Sequence, residues 1–270
     1  MKTVKLGQHF LVNRNLAEKI ARQFFPVEGI ILEIGPGKGI LTDLLIRYRE
    51  GEKNRIILVE LDDMLFYDLK CKYEKEEAVE LLNRDILEVD LNGLFPGKEA
   101  DRGVNVTGNV PYYISKELID WVIAFSGRIK KGMFMMQKEF VDKLIPGKTA
   151  KRINARSILF NGLFRIVKRF DVQPGSFSPP PKVKSSVFLF EPAVNRAFTR
   201  FGGDIHTNDF YLFLQRCFQN RRKTLANNLS AFYDMETLGE IFEKQGIDPK
   251  IRAEQLRLED FLAVARKLPK

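Results

Sequence analysis

Short apolar segments of strand length alternate with helical patterns along the first two thirds of the chain. In the first helical pattern, Leu16, Ile20 and Phe24 recur at every fourth position, which places them on one face of a helix. Strands that alternate with helices form a mostly parallel sheet, because each helix carries the chain back to the same edge. The sequence therefore predicts an α/β fold with a mostly parallel, seven-stranded sheet. The strands are predicted at residues 30–34, 55–60, 79–82, 104–108, 132–136, 164–172 and 183–190.

The pattern changes after position 192, where no further strand is indicated. Residues 210–218, 224–232 and 258–267 instead have short amphipathic patterns that are typical of helices. A chain of 270 residues is long enough for one large hydrophobic core and a small second one. We therefore predict an α/β domain over residues 1–193 and a small all-α domain over residues 194–270.

The composition disfavours several classes of protein. No apolar run approaches the ~18 residues that a membrane span needs, and no apolar segment of the secretory-signal type follows the N-terminal lysines. The chain has two cysteines, Cys71 and Cys217, which lie far apart. Its two histidines, His9 and His206, do not complete a set of metal ligands at the usual spacing. We expect a cytoplasmic protein with no metal site and no membrane contact.

Basic residues are concentrated in two segments. The formal net charge of +9 does not by itself separate a polyanion-binding protein from one that is merely basic. Between Lys143 and Lys184, however, ten lysines and arginines accompany a single acid, Asp171. Such clustering is typical of surfaces that contact a phosphate backbone. A second cluster lies nearer the C-terminus and consists of Arg221, Arg222 and Lys223.

A glycine-rich turn joins the first predicted strand to the helix that follows it. Glycines at this point allow a sharp turn and a close approach of the backbone to a ligand. The spacing is G-x-G-x-G rather than the G-x-G-x-x-G of NAD-binding folds, and several nucleotide-binding folds share such a loop. The turn consists of Glu33, Ile34, Gly35, Pro36, Gly37, Lys38 and Gly39.

Acidic residues follow the next two predicted strands. Glu60 ends the second strand, where a carboxylate can accept hydrogen bonds from both hydroxyls of a ribose and would repel the 2′-phosphate of NADP. Asp85 follows the third strand, where its carboxylate can accept from the amino group of an adenine. Glu60 could also be a solvated strand-end acid, and Asp85 a helix cap. Together with Glu33 they line one edge of the predicted sheet, an arrangement typical of class I methyltransferases.

The fourth predicted strand ends in a motif of the type (N/D)-P-P-(Y/F/W), with valine in the second place. An adenine amine is a weak nucleophile because its lone pair is delocalised into the ring. The amide oxygen of Asn109 and the carbonyl of Val110 can each accept one N–H, which frees the lone pair, while Pro111 stiffens the turn. Tyr112 offers a face on which a flipped base can stack. The alternative is a simple turn that ends a strand.

Six motifs follow one another along nearly the whole sequence. They are Gly7–Leu11 (GQHFL), 33–39 (EIGPGKG), 108–112 (GNVPY), 137–139 (QKE), 177–183 (FSPPPKV) and 218–225 (FQNRRKTL). In these motifs and their order the chain resembles the KsgA-type ribosomal RNA adenine dimethyltransferases. The resemblance implies a class I S-adenosylmethionine-dependent methyltransferase fold with a Rossmann-like sheet. It also implies N6-dimethylation of two adjacent adenines in the 3′-terminal hairpin loop of 16S rRNA during ribosome assembly.

The resemblance implies roles for individual residues. Asn109 and Tyr112 would surround the target base, and Arg221, Arg222 and Lys223 would contact the RNA. Phe177 would be a second stacking face, although it could equally be ordinary core. The implied partner is a small-subunit precursor, and the protein is expected to be a monomer. Contacts to S-adenosylmethionine are implied for His9, Leu11, Gly35, Glu60, Asp85 and Asn109, to which the glycine turn adds Glu33 and Gly37.

The chain departs from the family pattern at three places. Tyr113 stands where the family usually has asparagine, Val110 replaces leucine, and residues 154–157 (NARS) replace the usual GRLS. None of these is an expected cofactor contact. Three alternatives share parts of the pattern: a 23S rRNA adenine methyltransferase of the macrolide-resistance type, a DNA adenine methyltransferase, and a non-catalytic nucleic-acid-binding relative. The C-terminal motifs favour the small-subunit type, and the intact tetrad at residues 109–112 favours an enzyme.

Overall fold

The structure is a computed structural model that describes residues 8–49, 54–96, 103–145, 153–193 and 207–269. Three members of the basic segment, Lys148, Lys151 and Arg152, lie outside these ranges, as does His206. The chain divides into two compact units. The first lies within Met1–Val141 and Ile166–Pro192, and the second within Asp142–Arg165 and Ala193–Lys270.

A seven-stranded sheet forms the centre of the first unit, in the order β4-β3-β2-β5-β6-β9-β7. Neighbouring strands from β4 to β6 run parallel, and β9 is antiparallel to β6. The predicted α/β class and the mostly parallel sheet are therefore confirmed. The strands are β2 (Ile30–Ile34), β3 (Arg55–Glu60), β4 (Val79–Asn83), β5 (Val104–Asn109), β6 (Ile129–Gln137), β7 (Phe164–Val172) and β9 (Ser185–Pro192).

The strand order determines where a ligand can bind. From β2 the chain builds outward through β3 to β4, and then returns to place β5 on the other side of β2. Open α/β sheets bind ligands at such a reversal, outside the carboxyl ends of the strands. The glycine turn leaves the end of β2 and the predicted tetrad begins at the end of β5. The topology thus brings two distant motifs to one crevice.

Helices flank the sheet. The first, α1 (Arg14–Phe24), begins at Asn13, whose side chain accepts a hydrogen bond from the Leu16 backbone N–H at 3.0 Å. As its spacing predicts, α1 buries Ile20 and Phe24 and packs Leu16 against the core, and each fully buried side chain of this size stabilises the fold by about 1.5–3 kcal/mol. Among the described residues, the other α-helices that begin in this part are α2 (Ile40–Tyr48), α3 (Asp63–Lys72), α4 (Leu91–Leu94), α5 (Ser115–Ala124) and α6 (Lys138–Leu144), and the last three residues of α6 belong to the second unit.

A two-stranded ribbon outside the main sheet was not predicted. Strand β1 (Phe10–Leu11) pairs antiparallel with β8 (Phe177–Ser178), so that Phe10 faces Ser178 and Leu11 faces Phe177. Val12 continues the contact, since its N–H donates to the Ser176 carbonyl at 3.0 Å. This pairing attaches the N-terminal segment to the loop that precedes β9.

The second unit is helical, but it begins earlier than the sequence predicts. Residues 142–165, assigned above to the α/β domain, belong to it because helix α7 (Ala155–Leu163) packs with the C-terminal helices. Gly162 allows the close contact, since a Cβ there would lie 2.5 Å from Leu258 Cδ2. After the last strands of the sheet the chain re-enters this unit at Ala193, one residue before the start predicted for the helical domain. Its other α-helices among the described residues are Thr207–Cys217, Leu225–Leu229, Met235–Gln245 and Leu258–Ala265.

Candidate active site

Three adjoining cavities lie at the carboxyl edge of the sheet, and each encloses about 470–490 Å³ when the space open to solvent is included. Gly35 lines all three. We call them the inner cavity, which Leu11 and Glu33 line, the tetrad cavity, which Asn109 and Tyr112 line, and the outer cavity, which Asp85 lines. The expected cofactor contacts and the tetrad therefore line one crevice with three compartments.

The glycine turn forms the floor of this crevice. Gly35, Gly37 and Gly39 have φ angles of +61°, +58° and +76°, in the left-handed region that side chains other than glycine rarely adopt. A Cβ on Gly37 would lie 2.9 Å from Cδ1 of Phe10. The sequence pattern is thus explained by conformation at all three positions and by close packing at Gly37.

Glu60 is buried where β3 meets the turn, and it lines both the tetrad and the outer cavity. Its carboxylate accepts hydrogen bonds from the backbone N–H groups of Gly37 at 3.2 Å and Asp62 at 3.0 Å. Burial raises the pKa of Glu60, and these backbone donors oppose the rise. The solvated strand-end alternative does not describe this residue, because its side chain is enclosed and braces the glycine turn.

Glu33 lies deeper, beneath the turn and in the wall of the inner cavity. It is only 1% exposed, and Thr42 donates a hydrogen bond from its hydroxyl to the Glu33 carboxyl at 2.6 Å. Burial raises the pKa of Glu33 to about 8, outweighing the opposing hydrogen bond from Thr42. At neutral pH the protonated form therefore dominates, and Glu33 acts as a neutral polar group.

We expect the stability of the protein to depend on pH through Glu33. Because the pKa is higher in the folded state than the unfolded value of 4.5, its contribution is complete below pH 4.5 and is lost as the pH rises towards about 8. Glutamine cannot ionise. The free energy of unfolding of Glu33→Gln should therefore rise relative to that of the wild type by at most about 1.4 kcal/mol for each pH unit in this window. Denaturant unfolding at pH 5, 6.5 and 8 measures the difference. A constant difference across this range would contradict the burial argument.

Asp85 caps a 3₁₀ turn and also borders the crevice. Its carboxylate accepts from the Leu87 N–H at 2.9 Å and caps the single 3₁₀ turn Ile86–Glu88, so the capping role is realised. It also lines the outer cavity with Glu60. A carboxylate has about four acceptor positions, so capping leaves it able to accept from a ligand.

The side-chain amide of Asn109 is held in one orientation. Its Nδ2 donates to the backbone carbonyl of His9 at 2.8 Å. Among the described residues no group donates to Oδ1, which remains an available acceptor at the tetrad cavity. Val110 is buried, and its N–H donates to the Met135 carbonyl at 3.1 Å, which fixes the tetrad to β6. The geometry supports an acceptor of defined direction rather than a simple turn.

Residues from both ends of the first unit support the tetrad. The His9 ring lies 5.7 Å from the Tyr112 ring, centroid to centroid, and its Nδ1 lies 2.7 Å from the carbonyl oxygen of Pro179. The Tyr112 hydroxyl forms a hydrogen bond with Ser185 Oγ at 2.8 Å. The FSPPPKV motif thus positions His9, and His9 in turn orients Asn109. Sequence reasoning missed this chain of contacts because its members are about 70 to 170 residues apart.

Leu11 and Phe177 both belong to the hydrophobic core, but only Leu11 borders a cavity. Leu11 lines the inner cavity together with Glu33 and Gly35. Phe177 is only 4% exposed, belongs to the hydrophobic core and lines none of the three cavities. In this structure Phe177 therefore has the core position, and it offers no open face for stacking.

The basic cluster at residues 221–223 belongs to the second unit and is exposed. Asn228, which is buried, holds the preceding turn through hydrogen bonds to the carbonyls of Cys217 at 2.9 Å and Asn220 at 3.0 Å. Arg221 is partly engaged, since its Nη2 donates to the Ile153 carbonyl at 2.8 Å. The cluster is thus presented on a fixed turn.

The described residues contain neither a cluster of metal ligands nor a membrane-spanning helix. Among the described residues, no group of three or more histidine, cysteine, aspartate or glutamate side chains could hold a metal ion. Within those same ranges, no helix combines the length and the apolar character required to cross a membrane.

The parallel sheet, its glycine turn, the buried strand-end acids and the Asn-x-Pro-Tyr motif together define a class I methyltransferase. A model of the family "Ribosomal RNA adenine dimethylase" matches residues 1–270. The chain belongs to this family, and it is an rRNA adenine dimethyltransferase that uses S-adenosylmethionine.

Similar proteins span nearly the whole chain. Ribosomal RNA small subunit methyltransferase A of Acidobacterium capsulatum is 33% identical over 98% of this chain and 90% of its own length. The protein of the same name from Prochlorococcus marinus is 34% identical over 97% of this chain and 93% of its own length.

Two solved structures share the fold at lower identity. A dimethyladenosine transferase from Plasmodium falciparum has a TM-score of 0.74 at 24% identity, covering 96% of this chain and 98% of that one. The 23S rRNA methyltransferase ErmE has a TM-score of 0.67 at 20% identity, covering 97% of this chain and 100% of that one.

The residues present fit S-adenosylmethionine. Its adenosine half carries two ribose hydroxyls and one exocyclic amine, all hydrogen-bond donors, and the crevice has a buried acceptor at Glu60 and a half-buried one at Asp85. The glycine turn leaves the backbone accessible where a side chain would fill the space. The donor pattern of the ligand and the acceptor pattern of the crevice are complementary.

Proposed function

We propose that this protein transfers two methyl groups to N6 of each of two adjacent adenines in the 3′-terminal hairpin loop of 16S rRNA, within a small-subunit precursor. The relatives at 33–34% identity are named for the small ribosomal subunit, which supports this choice of RNA. The single observation that carries the chemistry is the fixed amide of Asn109, whose Oδ1 remains available at the tetrad cavity. We place this reaction in the cytoplasm and expect a monomeric enzyme.

The tetrad would activate the amine of the target adenine. Asn109 Oδ1 accepts one N–H of the amine and the Val110 carbonyl accepts the other, which draws the nitrogen towards tetrahedral geometry and localises its lone pair. S-adenosylmethionine supplies the electrophilic methyl group. Tyr112, held by Ser185 and the His9 ring, provides the stacking face for the flipped base. The proton of the methylated amine leaves to water, so no strong base is required.

Cofactor contacts are proposed for the residues that line the crevice. Glu60 would accept from the ribose hydroxyls, and Asp85 from the adenine amine. His9 and Leu11 would close the crevice over the glycine turn, since both line its cavities. Glu33 would act indirectly, as a neutral support beneath the turn. The first unit would therefore carry out methyl transfer.

The second unit would contact the RNA through its basic cluster. Of its members, Arg222 and Lys223 are exposed, whereas Arg221 also donates to Ile153 within the unit. Phosphate contacts release counterions, so their number sets how steeply affinity falls with salt. We therefore assign the phosphate contacts mainly to Arg222 and Lys223.

Replacing Arg221, Arg222 and Lys223 by serine should weaken RNA binding and reduce its salt dependence. With two phosphate contacts removed, the slope of log K against log[salt] should fall by about 1.5–2. Filter binding of a 3′-terminal 16S hairpin at several salt concentrations measures the slope. The matched control replaces Lys250, Arg266 and Lys267, three exposed cations of the same unit. An unaltered slope in the first variant, or an equal change in the control, would contradict the assignment.

The choice of substrate is tested by mapping the methylated base. In three separate reactions, each containing labelled S-adenosylmethionine, the protein is incubated with unmodified small-subunit particles, with 23S rRNA or with adenine-containing DNA. We expect dimethyladenosine at two adjacent positions of the 16S hairpin only. Label in 23S rRNA would favour the macrolide-resistance activity, label in DNA would favour a DNA methyltransferase, and no label anywhere would favour a non-catalytic relative.

A further inference from the structure

The outer cavity has an aromatic wall that the expected cofactor contacts do not include. Tyr113, in the 3₁₀ turn Tyr112–Ile114 after Pro111, lines this cavity together with Glu60 and Asp85. Its side chain remains 49% exposed, so the core does not bury it. Among the exposed large apolar side chains of the described ranges, no other lines one of the three cavities. The position of Tyr113 therefore calls for a ligand rather than a packing explanation.

The cavity that Tyr113 lines is distinct from the one assigned to the target base. Asn109 and Tyr112 line the tetrad cavity and are not part of the outer cavity, whereas Tyr113 lines the outer cavity alone. Pro111 lines both and separates them. Two consecutive tyrosines thus serve different compartments.

The outer cavity has the chemistry of a nucleoside site. Three carboxylates and Arg84 line this cavity. Asp62 caps α3, whereas Glu60 and Asp85 are each followed by an apolar residue, Leu61 and Ile86, that also lines the cavity. Apolar and aromatic faces bind the faces of a purine, and the acceptors bind its donors. The ring of Tyr113 supplies the aromatic face of this set.

The phenol of Tyr113 is close to the two acids. Burial is the main cause that raises the pKa of Tyr113, and the negative charges of Asp85 and Glu60 raise it further. Among the described residues the hydroxyl has no hydrogen-bond partner. The hydroxyl is therefore not needed to hold the ring in place, and the ring itself is the functional part.

We propose that Tyr113 is a cofactor-binding residue of this chain, forming the aromatic wall against which the adenine of S-adenosylmethionine packs. The proposal rests on the placement of the adenosine half beside Glu60 and Asp85. It assigns a use to the position where this chain departs from the asparagine usual in the family. An asparagine offers no ring, so the departure should strengthen adenosine binding.

Binding calorimetry tests the proposal without any methyl transfer. The probes are S-adenosylhomocysteine and 5′-methylthioadenosine, which share the adenosine half and differ in the amino-acid half. Because stacking on an aromatic ring contributes strongly to nucleobase binding, Tyr113→Ala should weaken both probes by about tenfold and by the same factor. Tyr113→Phe should bind both as the wild type does, and Tyr113→Asn should resemble the alanine variant. The matched control is Tyr67→Ala, an exposed tyrosine of α3 that lines none of the cavities.

The outcomes separate this proposal from the cofactor placement on which it rests. Loss of affinity for S-adenosylhomocysteine alone, or for neither probe, would overturn the role of Tyr113. An Asp85→Ala variant is measured in parallel. If it weakens both probes while Tyr113→Ala does not, only the proposal for Tyr113 fails, whereas no effect of either substitution would reject the adenosine site itself. Thermal unfolding confirms that each variant is folded, and Tyr113→Asn replaces Tyr113→Ala if the latter is not.

Discussion

The Asn109→Ala variant is expected to lose about 10²–10³-fold in the rate of methyl transfer, by analogy with the loss of a single positioned hydrogen-bonding group in other active sites. The structure gives the physical reason. The amide nitrogen is occupied by the His9 carbonyl, so that the oxygen is the group left to accept from a substrate. Alanine removes this acceptor, and the lone pair of the target amine stays delocalised. The affinities for S-adenosylhomocysteine and for RNA should change little, because Asn109 is one of many expected cofactor contacts and the proposed phosphate contacts lie in the basic cluster.

Single-turnover methylation of small-subunit particles measures this effect separately from binding. The matched control is Asn105→Ala, an asparagine on the same strand, β5, that lines none of the cavities. Asn105 donates to the carbonyls of Glu28 and Ile30, so its loss should lower stability but not the rate measured on folded protein. Turnover close to the wild-type rate in Asn109→Ala would refute the role of the amide oxygen.

The strands at the centre of the sheet could be predicted because burial on both faces gives nearly continuous apolar runs. Strands β2 and β3 follow their predicted bounds, and all but the first residue of β3 are buried. The ribbon of β1 and β8 could not be found in this way. Each strand has two residues and the partners lie more than 160 positions apart, so neither periodicity nor turn chemistry indicates the pairing.

Two of the helices that the sequence analysis does not predict nevertheless carry clear signals in the sequence. In α7, residues 154–157 were treated as a departure from a family motif, whereas Asn154 and Ser157 form a capping box that starts the helix. The helix Met235–Gln245 begins at Asp234, which caps it, and ends at Gly246 with φ +64°. Both are ordinary start and stop signals. With α7 recognised, the assignment of residues 142–165 to the α/β domain would have been open to question.

The acids of the site could be predicted from their positions at strand ends, because a parallel sheet brings those ends to one edge. The orientation of the Asn109 amide could not, since it depends on the His9 carbonyl, and His9 depends on Pro179. For Phe177 the motif could be recognised, but the direction of its side chain could not be predicted. A motif does not determine whether an aromatic ring points into a cavity or into the core.

Glu60→Ala is expected to weaken binding of S-adenosylhomocysteine by at least about 100-fold. Hydrogen bonds to a charged group contribute about 1.5–3 kcal/mol each, and the proposed ribose contact has two of them. The substitution also leaves the N–H groups of Gly37 and Asp62 without their acceptor, which loosens the glycine turn. Glu60→Gln should restore little, because its NH₂ group would face one of these backbone N–H donors.

Calorimetry separates this prediction from a general loss of structure. Glu77→Ala, an exposed acid in the turn before β4, should bind S-adenosylhomocysteine as the wild type does. The pKa of Glu60 is raised by burial, so the wild-type affinity should fall as the pH is lowered through that pKa and the carboxylate is protonated. Glu60→Ala should lack this component of the pH dependence. Unchanged affinity in Glu60→Ala at neutral pH would reject the ribose contact. A pH dependence equal to that of the wild type would show that another group titrates, because a side chain without a carboxyl cannot change its charge in this range.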